Sequence, residues 1–192
     1  MSNTAIVKNI QKPCLSFKAQ TFATVFAIIS AVVLPQIFHL LGDASGLGTL
    51  PGDIFLPMHL PIILVGLLAG PYAGAISGLL APIVSFSLSG MPNITILPLM
   101  MVELFAYGLC SGMLRNRKMP TIAKVFIAQI AGRTAYLLAI LASIYIIGNS
   151  NLHVAAVLSS MRAGIFGIVL QLILFPLIVY RIENSSTTKL TR

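Results

Sequence analysis

From Ile54 to Met91 the chain carries no Lys, Arg, Asp or Glu. That run is too long for one membrane crossing, which takes roughly 20 apolar residues. Gly70 and Pro71 stand in its middle, where a chain can turn. The pattern therefore predicts two short membrane helices over 54–70 and 72–88, joined by a chargeless turn. Further apolar runs over 17–41, 94–114, 122–147 and 154–180 predict four more spans. Short polar or turn-rich segments separate them, at 42–53, 89–93, 115–124 and 148–153.

Small residues add a second period. Gly66, Gly70, Gly74 and Gly78 recur every four positions, as do Ala19, Ala23, Ala27 and Ala31. Such spacing places small residues on one helix face and lets backbones approach closely in lipid. The alanine stripe fits either packing inside a bundle or a docking face for helices of another subunit. Polar groups stand at the same end of the 54–92 pair: His59 on one side, and Ser85, Ser87 and Ser89 on the other. A ligand site is expected there.

Composition supports the membrane reading. Of 192 residues, 57% are apolar and 8% charged, and the mean hydropathy is +0.98. Soluble domains average about 25% charged residues, so too little polar surface exists to cover a soluble globule. The expected fold is an all-α polytopic membrane protein, a six-transmembrane-helix bundle over 17–182 with polar tails at 1–16 and 183–192. The first sixteen residues hold Lys8 and Lys12 but no apolar core, so no signal peptide is expected.

The net charge of +8 would suggest nucleic acid in a soluble protein. Here its distribution gives another meaning. Ten of the twelve Lys and Arg fall in the two tails, at the edges of the terminal spans or in the segment RNRKMPTIAK at 115–124, and the three opposite loops hold none. Basic residues gather on the cytoplasmic side, so both termini are expected to face the cytoplasm, and no nucleic-acid partner follows. Cys14 and Cys110 are isolated, and no metal spacing occurs, so neither a metal nor a cofactor is expected. No GxxxxGK[ST], GxSxG or HExxH occurs, so neither ATP hydrolysis nor hydrolase chemistry is expected in this chain. The halves show no inverted repeat, which argues against a self-sufficient secondary transporter.

Three charges lie inside apolar spans: Glu103, Arg133 and Arg162. Each costs at least about 2.5–3.5 kcal/mol at a helix centre. By helical rise, Glu103 and Arg162 both lie roughly 12–14 Å below the outer surface and share a level. They could form a buried ion pair, which would leave Arg133, nearer the midplane, as a spare cation. An anionic ligand would balance it; contact with backbone carbonyls would also hold it. His59, Asn93, Tyr107 and Asn151 are further candidate ligand contacts near that end. His59 stands between Pro57 and Pro61, whose missing donors keep the local helix irregular. Such backbone is tolerated beside a cavity.

The run FLPMHLPIILVGLLAGPYAGAISGLLAPIVSFSLSGMP, then MMVELFAYGLCSGML and QIAGRTAYLL, resembles the substrate-binding S-components of energy-coupling factor (ECF) vitamin transporters. The subgroup it looks like includes the pantothenate and cobalamin S-components, and the resemblance covers nearly the whole chain. It implies a multi-pass protein of a prokaryotic plasma membrane that binds a vitamin with high affinity near its outer surface. The segment 42–53 would gate the site, and 89–93 would help close it. The alanine stripe looks like the family's AxxxA motif, which would dock on the transmembrane T-component. Two separate ATPase subunits would complete the ECF module and drive import. Pantothenate is the favoured vitamin, because its carboxylate needs a buried cation; Arg133 or Arg162 would anchor it, with Glu103 orienting the other. The alternatives are a cobalamin or cobamide S-component and a stand-alone carrier of a small organic anion.

Overall fold

The computed structural model describes residues 15–48, 50–146 and 164–189. Among these the secondary structure is helical throughout, in seven helices. They are α1 (Phe17–Ala44), α2 (Leu50–Phe55), α3 (His59–Ala69), α4 (Pro71–Ser89), α5 (Leu97–Met113), α6 (Thr121–Tyr145) and α7 (Ile165–Lys189). α1, α4 and α6 are long and apolar enough to cross a membrane; α3, α5 and the Ile165–Val179 part of α7 are shorter apolar helices.

Local chemistry sets the boundaries. Ser16 caps α1, its hydroxyl accepting from the Ala19 N–H. α1 runs to Ala44, past the predicted end at 41, and passes through Pro35. The segment 42–53, expected to be irregular, instead forms the end of α1 and most of α2. Pro51 is the second residue of α2, in the first turn, where its missing N–H costs nothing. The helix predicted over 54–70 is broken at Leu56–Met58. The residue before a proline is pushed away from helical backbone, and Leu56, before Pro57, adopts a left-handed φ of 49°. The turn between α3 and α4 forms where predicted. Gly70 has φ 116°, which favours glycine, and Pro71 opens the next helix with its φ already fixed.

α5 is the hub, packed against α3, α4 and α6; α1 lies over α3 and α4, and α7 over α6 and α2. The glycine stripe explains how closely α5 approaches. Gly66, Gly74 and Gly78 are buried, and a methyl on any of them would collide with the α5 backbone at Gly108 or Leu104, or with Ser111. Gly108 in turn faces the Gly74 carbonyl. The stripe is therefore an internal seam. Gly108→Val is expected to unfold the bundle at lower temperature, with a cost of about 3 kcal/mol or more from overpacking. Thermal unfolding in detergent measures this, and an unchanged midpoint would show that the seam is loose.

The alanine stripe also turns inward. Ala27 and Ala31 are 3% and 0% exposed, and Ala27 packs with Val65, Ala69 and Ala73 of α3 and α4. Ala23 is half-buried against the same cluster, and Ala19 is half-buried. Of the two readings of the stripe, Ala27 and Ala31 fit packing inside the bundle, where their small side chains let α1 lie close on α3 and α4. The outward face of α1 carries Phe22, Phe26, Ile29 and Val33 instead.

Candidate functional site

A chamber of about 590 Å³ opens at the end of the bundle where α3 begins, α4 ends and α5 begins. The basic 115–124 segment follows the far end of α5, so it lies at the opposite pole. α1, α2 and α6 complete the wall. The break at Leu56–Met58 supplies Leu56, Pro57, Met58 and His59 as consecutive lining residues. Pro57, whose ring pushes Leu56 out of helical backbone, keeps α2 and α3 from joining into one helix.

The charged centre is a cluster on three helices. Glu103 lies six residues into α5 and Arg133 twelve residues into α6. Arg133 Nη1 stands 3.0 Å from Glu103 Oε1, and His59 Nε2 stands 3.6 Å from the same oxygen. Glu103 and His59 are 2% and 4% exposed. Behind His59 the Tyr107 ring packs edge-on, at 5.1 Å between centroids and 79° between planes. Gly132 makes room for that ring: a methyl there would come within 2.6 Å of it. The cluster is short of hydrogen bonds. Both ring nitrogens of His59, Glu103 Oε1, and Arg133 Nε and Nη2 are buried without a hydrogen-bond partner. Leaving such an atom unpaired costs about 1–3 kcal/mol, and several at one chamber mark a site that a polar guest would complete.

Of the two arginines offered as partners for Glu103, the structure places Arg133 against it. Arg162 and Asn151, also named as candidate contacts, lie outside the described residues. Among the described residues the Glu103 carboxylate and the Arg133 guanidinium balance each other. His59, Asn93, Glu103 and Arg133 share the chamber wall. Tyr107 does not line it and supports His59 from behind. Asn93 lines the wall while its Oδ1 accepts from the Thr95 N–H at 3.0 Å, an Asx turn that shapes the approach to α5. Its side-chain amide remains a donor for a guest.

The wall also contains Gln36, His39, Ser85 and Tyr136. Ser85 had been marked by its position at the end of α4. The exposed Ser87 and the neighbouring Ser89 donate their hydroxyls to carbonyls of their own helix. Gln36 and His39 follow Pro35 near the end of α1, and their polarity within an apolar span was the available signal. Tyr136 sits three residues beyond Arg133, on the same helix face. Among the described residues no group of three or more His, Cys, Asp or Glu could hold a metal ion.

Comparison with family models finds one match, the ECF transporter substrate-specific component, over residues 21–179. Comparison with curated proteins and with solved structures returns no match. The match runs from the first turns of α1 into α7 and takes in every element of the chamber wall. An apolar helical bundle with a polar chamber at one end, matched over that span, belongs to the family of substrate-specific components of ECF transporters.

Proposed function

We propose that this chain is the high-affinity vitamin-binding subunit of an ECF-type importer, and that the vitamin is pantothenate. In this reading six spans cross a prokaryotic plasma membrane with both termini in the cytoplasm. The chamber then opens on the outside, opposite the basic segment. A T-component and two ATPase subunits supply the energy.

The observation that carries the reading is the unsatisfied Glu103–Arg133–His59 cluster on the wall of a chamber of about 590 Å³. That volume falls within the roughly 300–1,000 Å³ of small-molecule sites. It suits a small vitamin better than a corrinoid. Arg133 presents Nη1 to Glu103 and keeps Nε and Nη2 without a partner. That pair of donors is the side-on fork that takes a carboxylate with two parallel hydrogen bonds. A small rotation of the side chain would turn the fork to the guest. Glu103 fixes the guanidinium from the other edge, so little entropy is lost when the ligand arrives. Asn93, Ser85 and His59 suit the hydroxyls and amide of pantothenate. Arg162 and Asn151 are proposed to complete the wall, with Arg162 supplying the positive charge that a second carboxylate needs.

Two measurements test the reading. Mass spectrometry of the ligand that co-purifies is expected to show pantothenate, and calorimetry to show nanomolar binding by the lone chain. In proteoliposomes, uptake is expected only with the ECF module and ATP. A cobamide mass would move the chain to the corrinoid class, and unaided uptake by the chain alone would overturn the importer-subunit reading.

A further inference from the structure

We infer that two buried glutamines, Gln129 on α6 and Gln171 on α7, are positioning residues that hold the α2–α3 corner against the ligand chamber. This rests on the reading of the chamber as the binding site.

Gln171 is 0% exposed, and its Nε2 donates to the Leu56 carbonyl at 3.5 Å. Its Oε1 accepts from Gln129 Nε2. The direction follows from chemistry. The Leu56 carbonyl only accepts, so the Gln171 amide nitrogen must face it and the Gln171 oxygen must face Gln129. One turn before Gln171, Gly167 lies so close to the corner that a methyl there would come within 2.6 Å of the Ile54 carbonyl oxygen. One face of α7 is therefore seated on the α2–α3 corner, by a glycine for approach and a glutamine for the bond.

The corner needs holding. Leu56 has φ 49°, and a bulky residue in that region costs about 1–3 kcal/mol unless its surroundings fix it. Leu56, Pro57, Met58 and His59 are four consecutive residues of the chamber wall. The contacts close a circuit: His59 reaches Glu103, Glu103 meets Arg133, and Gln129 lies one turn from Arg133 on the same face of α6. From Gln129 the path returns through Gln171 to Leu56. Without the amide bond the corner relaxes towards ordinary backbone, the wall opens and the ligand leaves sooner.

The test compares the full-length protein with Gln171→Leu and with the double variant Gln129→Leu/Gln171→Leu. The single variant leaves the Gln129 amide buried and unpaired, so it loses thermal stability; two apolar partners restore most of it. Pantothenate dissociation is expected to be about tenfold faster in both variants, with association little changed. Recovery of the dissociation rate together with stability in the double variant would overturn the proposal, because a merely structural bond behaves that way. A ligand-free readout separates this from the choice of vitamin. In a Cys14→Ser/Cys110→Ser background, Met58→Cys is expected to react with a maleimide about tenfold faster once Gln171 is Leu. Failure of the parent protein to bind pantothenate, with that acceleration intact, removes the vitamin and keeps the relay. Unchanged labelling removes the relay.

Discussion

Arg133→Ala is expected to weaken pantothenate binding about a hundredfold, or ~2.8 kcal/mol. On the proposed reading Arg133, 3.0 Å from Glu103, would also hold the carboxylate of the ligand, so its loss removes that anchor and leaves Glu103 without its cation. Arg133→Lys should recover part of the loss, since an ammonium keeps the charge but lacks the fork. Glu103→Gln separates ligand classes. It keeps the shape of the side chain and leaves the guanidinium uncompensated, so an anionic ligand should bind as well or better. A ligand that lends a hydrogen-bond donor to Glu103 should instead bind more weakly. Calorimetry on detergent-purified protein reads all three variants. Equal losses in Arg133→Ala and Glu103→Gln would mean that the pair only shapes the chamber. Unchanged affinity in a folded Arg133→Ala protein would remove the carboxylate anchor altogether.

The helices were legible where the signal was local. Gly70–Pro71 marks its own turn, because only glycine takes that φ cheaply and proline suits the first position of the following helix. The prolines flanking His59 marked irregular backbone, and the break lies immediately before the first residue of α3. The short helix α2 was not legible. Its sequence, LPGDIF, holds glycine and proline in a glycine-rich segment, and six residues carry no period. Small-residue stripes gave a face but not its neighbour. The same four-residue spacing serves a docking surface or an internal seam, and Gly74 and Ala31 both face inward.

The site was legible as a neighbourhood. His59 and Ser85 were expected at one end of the 54–92 pair, and both line the chamber. Which arginine meets Glu103 was left open by the sequence. Rise along a helix gives the depth of Glu103 and Arg133 but not the direction in which each points. α5 and α6 are neighbours, and the long arginine side chain bridges the difference in level. Gln129 and Gln171 each read as a single polar residue in an apolar span, but nothing in the sequence pairs two residues that lie 42 positions apart. Only the fold brings them to Leu56.

The same charge pair predicts the largest stability effect. Glu103→Ala is expected to destabilise the chain by about 3–5 kcal/mol, because it strands a buried guanidinium. Glu103→Leu/Arg133→Met should recover most of that loss, since well-packed apolar partners often match or exceed a buried ion pair. Pantothenate binding should remain at least about a hundredfold weaker in the double variant, which lacks the arginine. Thermal unfolding in detergent, read beside calorimetry, measures both effects. If Glu103→Ala unfolds at the parent temperature, water already reaches the guanidinium and the pair is not truly buried. If the double variant is as stable as the parent but binds that weakly, the bundle has no structural need of these charges. An apolar pair would hold α5 and α6 together equally well. Keeping a carboxylate and a guanidinium there instead, with Nε and Nη2 unpartnered, makes sense for a polar guest that supplies the missing bonds.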